Sequence, residues 1–220
     1  MPEARPVHGR PGLLITFEGP EGSGKSTLIS SLADRLTAAG CPPVVTREPG
    51  GTRVGERIRD VLLDPFLPEQ TRETELLLMV ASRAQLVREI VIPALDEGRV
   101  VICDRYADAS VAYQGGGREL GEDVVHRLNA FAVGDAEPDL TFLCLLPPAE
   151  GRARMGDRER DRLELEETAF HDRVFDSYRR MADGSDPRFR EVDATASPES
   201  MLEQTLVFLR NVEHDLLTGL

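Results

Sequence analysis

Residues 13–27 read Leu13-Leu14-Ile15-Thr16-Phe17-Glu18-Gly19-Pro20-Glu21-Gly22-Ser23-Gly24-Lys25-Ser26-Thr27. An apolar run of strand length, Leu13 to Phe17, empties into a glycine-rich stretch with the spacing G-x-x-x-x-G-K-[ST]. Helical spacing then starts at Thr27 and is closed by Gly40. Strand, loop and helix in that order form the setting in which such a loop cradles phosphate. Its glycines let backbone N–H groups converge on oxygens, and the helix presents its positive end. Lys25 can reach the β- and γ-phosphates of a nucleotide, and the Ser26 hydroxyl can ligate Mg²⁺. The candidate nucleotide-binding set is therefore Gly19, Pro20, Glu21, Gly22, Ser23, Gly24, Lys25, Ser26 and Thr27. Lys25 is also the single lysine among 26 basic residues, and all the others are arginine.

Working outward, further apolar runs bounded by charges occur at Val44 to Val45, Val100 to Cys103, Leu140 to Leu146 and, more weakly, Phe189 to Val192. Between them lie stretches of helical spacing: Val54 to Leu63, Glu73 to Leu95, Asp123 to Val133, Glu166 to Met181 and Pro198 to Leu216. Near-continuous apolar strands alternating with helices predict an α/β fold of the P-loop NTPase type, a five-stranded parallel sheet flanked by helices. Ligands in such sheets bind beyond the carboxyl ends of the strands. Residues 1–12 read as a flexible tail and 13–220 as a single kinase-sized domain. The charge-dense stretch within about 151–167 reads as a small mobile lid, although interleaved Arg and Glu or Asp also suit a solvated helix face.

A net charge of −13 argues against a nucleic-acid partner, which needs a broad basic face. No apolar run is long enough to cross a bilayer, and residues 1–12 lack a hydrophobic signal stretch, so a cytoplasmic location without membrane attachment is expected. Cys41, Cys103 and Cys144 are widely spaced, which suits neither zinc nor a redox pair.

The second chemical segment is Val100-Val101-Ile102-Cys103-Asp104-Arg105-Tyr106, a strand that delivers a carboxylate and a guanidinium together at its carboxyl end. Asp104 can hold Mg²⁺ or its waters, and Arg105 can meet an anion. A GTPase reading fails, because there is no Asn-Lys pair and no Asp is followed three residues later by Gly. A motor-type or transporter-type ATPase lacks any coupling element in so short a chain, so a small-molecule kinase fits better.

Thr46-Arg47-Glu48-Pro49-Gly50-Gly51-Thr52, Ala81-Ser82-Arg83-Ala84-Gln85, Asp104-Arg105-Tyr106 and Ala112-Tyr113-Gln114-Gly115-Gly116-Gly117-Arg118 follow one another in order. Together with Asp161-Arg162-Leu163-Glu164 and Asp193-Ala194-Thr195, they resemble bacterial thymidylate kinase over about residues 13 to 215. The resemblance implies transfer of the γ-phosphoryl of ATP to dTMP, with ATP and Mg²⁺ at the donor site and a homodimeric assembly. Kinases for dUMP, dCMP or AMP, or an ATP-dependent switch, are the competing readings.

A phosphomonoester is mostly dianionic at neutral pH, so the attacking oxygen needs no general base. What the protein must supply is convergent positive charge. Arg47, Arg83 and Arg105 are the acceptor-side candidates, since guanidinium can grip phosphate through two bonds. The resemblance instead implies that Arg83 contacts the thymine carbonyl. It also implies that Glu21 accepts a hydrogen bond from the acceptor's 3′-hydroxyl, and that Ser110 and Tyr113 lie on the pyrimidine and sugar sides. Met79 takes the position where relatives commonly stack an aromatic on the base, and Pro49 and Gln114 fall within the shared substrate motifs. The catalytic set is then Lys25 and Arg105, joined by lid arginines that arrive on closure. Arg158 and Arg160 are the candidates among Arg152, Arg154, Arg158, Arg160 and Arg162. Ser26 and Asp104 are the candidate metal ligands.

Overall fold

The structure, a computed structural model, describes residues 9–156, 159–212 and 214–220. Five parallel strands form one sheet in the order β2-β3-β1-β4-β5. They are β1 (Leu13–Glu18), β2 (Val44–Arg47), β3 (Val100–Asp104), β4 (Leu140–Leu145) and β5 (Phe189–Asp193). Leu13, Ile15 and Phe17 face one layer and Leu14 the other, and every residue of β1 is buried. Burial on both faces is why β1, β3 and β4 read as unbroken apolar runs, whereas the edge strands β2 and β5 are partly exposed.

On one face the sheet packs against α1 (Lys25–Ala38) and α9 (Pro198–Arg210), through Leu28, Leu32, Leu36, Met201, Leu206 and Leu209. On the other, Leu86, Val87, Val91 and Leu95 cover β1 and β3, while Met79, Tyr113, Phe170, Val174 and Tyr178 meet Leu143 and Leu145 of β4. Helix starts follow local chemistry. Thr52 caps α2 (Arg53–Leu63) by accepting from Gly55 N, Thr71 caps α3 (Arg72–Leu86) by accepting from Thr74 N, and Ser197 caps α9 just ahead of Pro198. α1 has no such cap, because Gly24 offers no side chain, and its first-turn N–H groups stay open.

The spacing that predicts one helix over 73–95 is met by a continuous helical path with a wider turn inside it. α3 passes into a π-type segment, Val87–Val91, and then α4 (Ile92–Asp96). Pro93 cannot donate a backbone bond, and the widened turn directly before it absorbs that loss. After β3 come α5 (Ala107–Ser110) and a second π-type segment, Val111–Gly117, which periodicity assigns to no element. The chain continues through α6 (Glu122–Val133), α7 (Pro148–Met155) at the start of the charge-dense stretch, and α8 (Thr168–Asp183). Ahead of β1, Gly12 N bonds Leu95 O and Arg10 pairs with Asp135 at 2.7 Å and with Asp96. Among the described residues no helix is long and apolar enough to cross a membrane, and the three cysteines form no disulfide.

The register fixes where the site must lie. Phe17 of β1 and Arg47 of β2 both pair with Asp104 of β3, at the carboxyl edge of the sheet. β2 and β3 lie to one side of β1 and β4 and β5 to the other, so the loop after β1 opens where the connections diverge.

Candidate active site

The loop after β1 folds around its own lysine. Lys25 Nζ donates to Gly19 O at 3.0 Å, Pro20 O at 2.8 Å and Ser23 Oγ at 3.2 Å. Burial first, and then neighbouring Arg105, lower the Lys25 pKa. The loop leaves no room for side chains at two glycines: a Cβ on Gly19 would sit 2.3 Å from Cys144 O of β4, and one on Gly22 would sit 2.4 Å from Gly151 O of α7. Both have positive φ, 137° and 75°. The second contact puts the first helix of the charge-dense stretch directly on the phosphate loop.

Ser26 Oγ donates to Asp104 Oδ2 at 3.1 Å. A hydroxyl and a carboxylate side by side at the loop are the hard oxygen donors that Mg²⁺ accepts. That ion is held by one or two side chains plus substrate phosphates, without an all-protein cage.

Arg105 is the hub between loop and sheet edge. Its backbone takes a left-handed φ of 66°, strained for a residue with a Cβ. It is held there by Arg105 N to Phe17 O at 2.9 Å. The guanidinium donates to Gly19 O at 2.9 Å, Tyr178 Oη at 3.2 Å, Tyr113 Oη at 3.0 Å and Glu21 Oε1 at 2.5 Å. Its carbon lies 4.9 Å from the centre of the Tyr113 ring. Beneath it Glu18, wholly buried, accepts from Tyr106 N at 2.7 Å, Ala109 N at 3.2 Å and Tyr178 Oη at 2.9 Å. Burial pushes the Glu18 carboxyl up to about 8, with Asp108 adding to the rise and Arg105 opposing it.

Two adjoining cavities share Arg105, Glu21, Glu48, Arg59 and Asp161. One is the phosphate cleft, lined by Glu21 through Thr27, Arg47, Asp104 and Arg154. The other is walled by Pro49, Met79, Arg83, Ser110, Tyr113 and Gln114. Arg83 belongs to this second cavity alone and is almost wholly buried. It donates to Glu48 Oε2 at 2.7 Å, Asn129 Oδ1 at 2.6 Å, Tyr106 O at 2.9 Å and Ser110 Oγ at 3.0 Å. So many fixed partners hold it as part of a wall, which suits contact with a planar ring better than capture of a mobile phosphate. Glu48 Oε1 is buried without a hydrogen-bond partner among the described residues, and burial raises the Glu48 pKa against the pull of Arg83. Met79 packs with Tyr113, Leu143 and Phe170 and also faces this cavity.

The arginines expected from the sequence part company here. Arg47 lines the phosphate cleft, steadied by Glu56 at 3.0 Å. Arg154 lines it too and donates to Ala194 O at 2.8 Å, whereas Arg162 turns away to Leu62 O, Gln70 and Glu75. Arg160 is exposed and lines neither cavity, and Arg158 lies outside the described residues. Sequence reasoning missed Arg59, which borders both cavities and donates to Pro49 O at 2.8 Å. Nothing in the chain marks it among so many arginines. It also missed Glu18, although a carboxylate closing a strand buried on both faces is a readable signal.

A family profile for thymidylate kinase matches residues 17–205 of the chain. A protein of Pseudomonas fluorescens (strain Pf0-1) called thymidylate kinase is 47% identical over 196 residues, covering 89% of this chain and 93% of that protein. One of Exiguobacterium sp. (strain AT1b) with the same name is 45% identical over 196 residues, covering 89% and 92% respectively. A third, of Lactobacillus delbrueckii subsp. bulgaricus, is 47% identical over 189 residues, covering 84% and 89%. With a phosphate loop, a paired hydroxyl and carboxylate, and an arginine joining two cavities already in place, the chain belongs to the thymidylate kinase family.

Proposed function

We propose that the chain transfers the γ-phosphoryl group of ATP to dTMP, giving ADP and dTDP. The observation that carries this reading is Arg105, which faces both cavities and bonds to Glu21 of the phosphate loop. Donor and acceptor phosphates would meet at one guanidinium.

ATP occupies the cleft at residues 19–27, and Lys25 exchanges its loop carbonyls for the β- and γ-phosphates. Ser26 and Asp104 would hold Mg²⁺, which would supply positive charge against the donor phosphates. dTMP lies in the second cavity with its base between Met79 and the wall of Arg83, Ser110 and Gln114. Its sugar lies toward Tyr113 and Glu21, and its phosphate toward Arg105, Arg59 and Arg47. The reaction is an in-line displacement by a phosphate oxygen that is already deprotonated, so catalysis consists of alignment and charge compensation. Stretch 151–167 acts as the lid: α7 covers the loop, and the lid arginines supply the remaining positive charge and exclude water.

We also propose that the protein is a homodimer. α3 and α6 pack together, and Leu77, Val124 and Phe131 on them are exposed apolar side chains. On the same helix α3, Leu76 and Val80 are instead buried within the protomer.

ADP release in a coupled assay should require dTMP, ATP and Mg²⁺ together, with dTDP identified chromatographically. ADP release unchanged by omitting dTMP would replace the reading with a nucleotide-dependent switch. Faster turnover of another monophosphate would reassign the acceptor. Sedimentation of the purified protein at monomer mass would overturn the dimer.

A further inference from the structure

Glu75 sits in the first turn of α3 with no exposed surface. Its carboxylate accepts from Gln114 Nε2 at 2.9 Å, from Arg118 NH2 at 2.9 Å and from Arg162 NH2 at 2.6 Å. Burial by itself would raise the Glu75 pKa, but the arginines outweigh it and the net shift is downward. The group is therefore an ionised, acceptor-only partner.

That has a consequence for Gln114, whose side chain is buried and lines the cavity beside Arg83. A carboxylate can be faced only by the NH₂ of an amide, so the orientation of Gln114 follows from chemistry. With the nitrogen tied to Glu75, the carbonyl oxygen on the other branch of the amide is the atom left to meet a ligand. Arg83, being a guanidinium, can offer only donors. The wall thus presents an acceptor and a donor side by side. That pair complements a pyrimidine edge carrying N–H next to C=O, as in thymine or uracil. It opposes the edge of cytosine, which carries a bare ring nitrogen next to NH₂.

We propose that Glu75 is a positioning residue for base selection: by holding the Gln114 NH₂ it fixes the Gln114 carbonyl as the acceptor that favours oxo-pyrimidine over amino-pyrimidine monophosphates. The proposal rests on the reading of this cavity as the base site.

The test compares kcat/KM for dTMP and for dCMP in the wild type, in Glu75→Gln and in Gln114→Leu. Glutamine at 75 can face Gln114 with either end, so Gln114 is released to turn over. The dTMP-to-dCMP ratio should fall by about ten-fold or more, while KM for ATP holds. A purely structural role would lower both substrates together and leave the ratio alone. If Gln114→Leu collapses the ratio and Glu75→Gln preserves it, the base-site reading survives and the role of Glu75 is overturned. If Gln114→Leu also preserves the ratio, the base-site reading itself fails. Should Glu75→Gln not fold, the wild type still decides by NMR of the glutamine side-chain amides. The Gln114 NH₂ signals should stay in place when dTMP saturates the enzyme, while the base imino proton becomes protected from exchange. Large movement of those NH₂ signals would mean that the nitrogen faces the base, and would refute the proposal.

Discussion

Glu18→Gln should make the protein's stability far less sensitive to pH. Glu18 closes β1, is wholly buried, and has its carboxyl pushed to about 8 from an ordinary value of 4.5. Below pH 4.5 the group is neutral in both folded and unfolded chains and contributes no pH dependence. Between 4.5 and about 8 the unfolded chain releases its proton while the native protein keeps it, so stability falls as pH rises. Above about 8 both states are ionised and the loss is complete. The full separation corresponds to roughly 5 kcal/mol, of which roughly 3 to 4 kcal/mol falls between pH 5 and pH 8. Glutamine fits the same space with its bonding intact. Its oxygen accepts from Tyr106 N and Ala109 N as Glu18 Oε1 does, and its NH₂ faces the Tyr178 hydroxyl, which can accept instead of donate. Urea unfolding at several pH values would give both stability curves at constant m. The difference between wild type and variant isolates Glu18 from other groups that titrate in the same window. Curves that run parallel from pH 5 to pH 8 would refute the reasoning, because Glu18 would then titrate like an exposed glutamate.

Lys25→Ala should lower kcat by about 10² to 10³ and shift the urea midpoint little, because removing the buried ammonium also removes its desolvation. Comparable losses in folding and rate would contradict its assigned role. Arg59→Ala should raise KM for dTMP by about ten-fold or more, since Arg59 borders the second cavity from the Pro49 side. An unchanged KM for dTMP would remove it from the acceptor site. Gly151→Ala favours helix by about 1 kcal/mol, yet its Cβ would lie 2.3 Å from Glu21 O. α7 must then lift from the phosphate loop, and kcat/KM for ATP should fall although helix propensity rises. Full activity would show that the contact is dispensable.

How much of this was legible in the chain depended on whether the chemistry was local. Lys25 and the loop around it could be read because a phosphate cradle is built from neighbours: consecutive glycines, one cation and one hydroxyl between a strand and a helix. β1, β3 and β4 could be read because burial on both faces leaves unbroken apolar runs, whereas β2 and β5 at the sheet edges are partly exposed. Asp104 could be placed at the carboxyl edge of the sheet because it ends such a run. The widened turn at Val87–Val91 and the π-type segment at Val111–Gly117 were hidden, since a π turn shifts the helical period without changing residue type. Arg59, and the choice between phosphate and base for Arg83, were hidden in a different way. Both are arginines on helices, and nothing local separates one walled in by Glu48 and Asn129 from one facing two cavities. Glu75 and Gln114 lie 39 residues apart, and only their 2.9 Å contact reveals which end of the amide the cavity receives. The sequence by itself determined the strands, the main helices between them and the phosphate loop, because each rests on short-range periodicity and backbone conformation. Tertiary structure alone decided which of many like-charged side chains face the reaction, because that depends on buried partners supplied by distant parts of the chain.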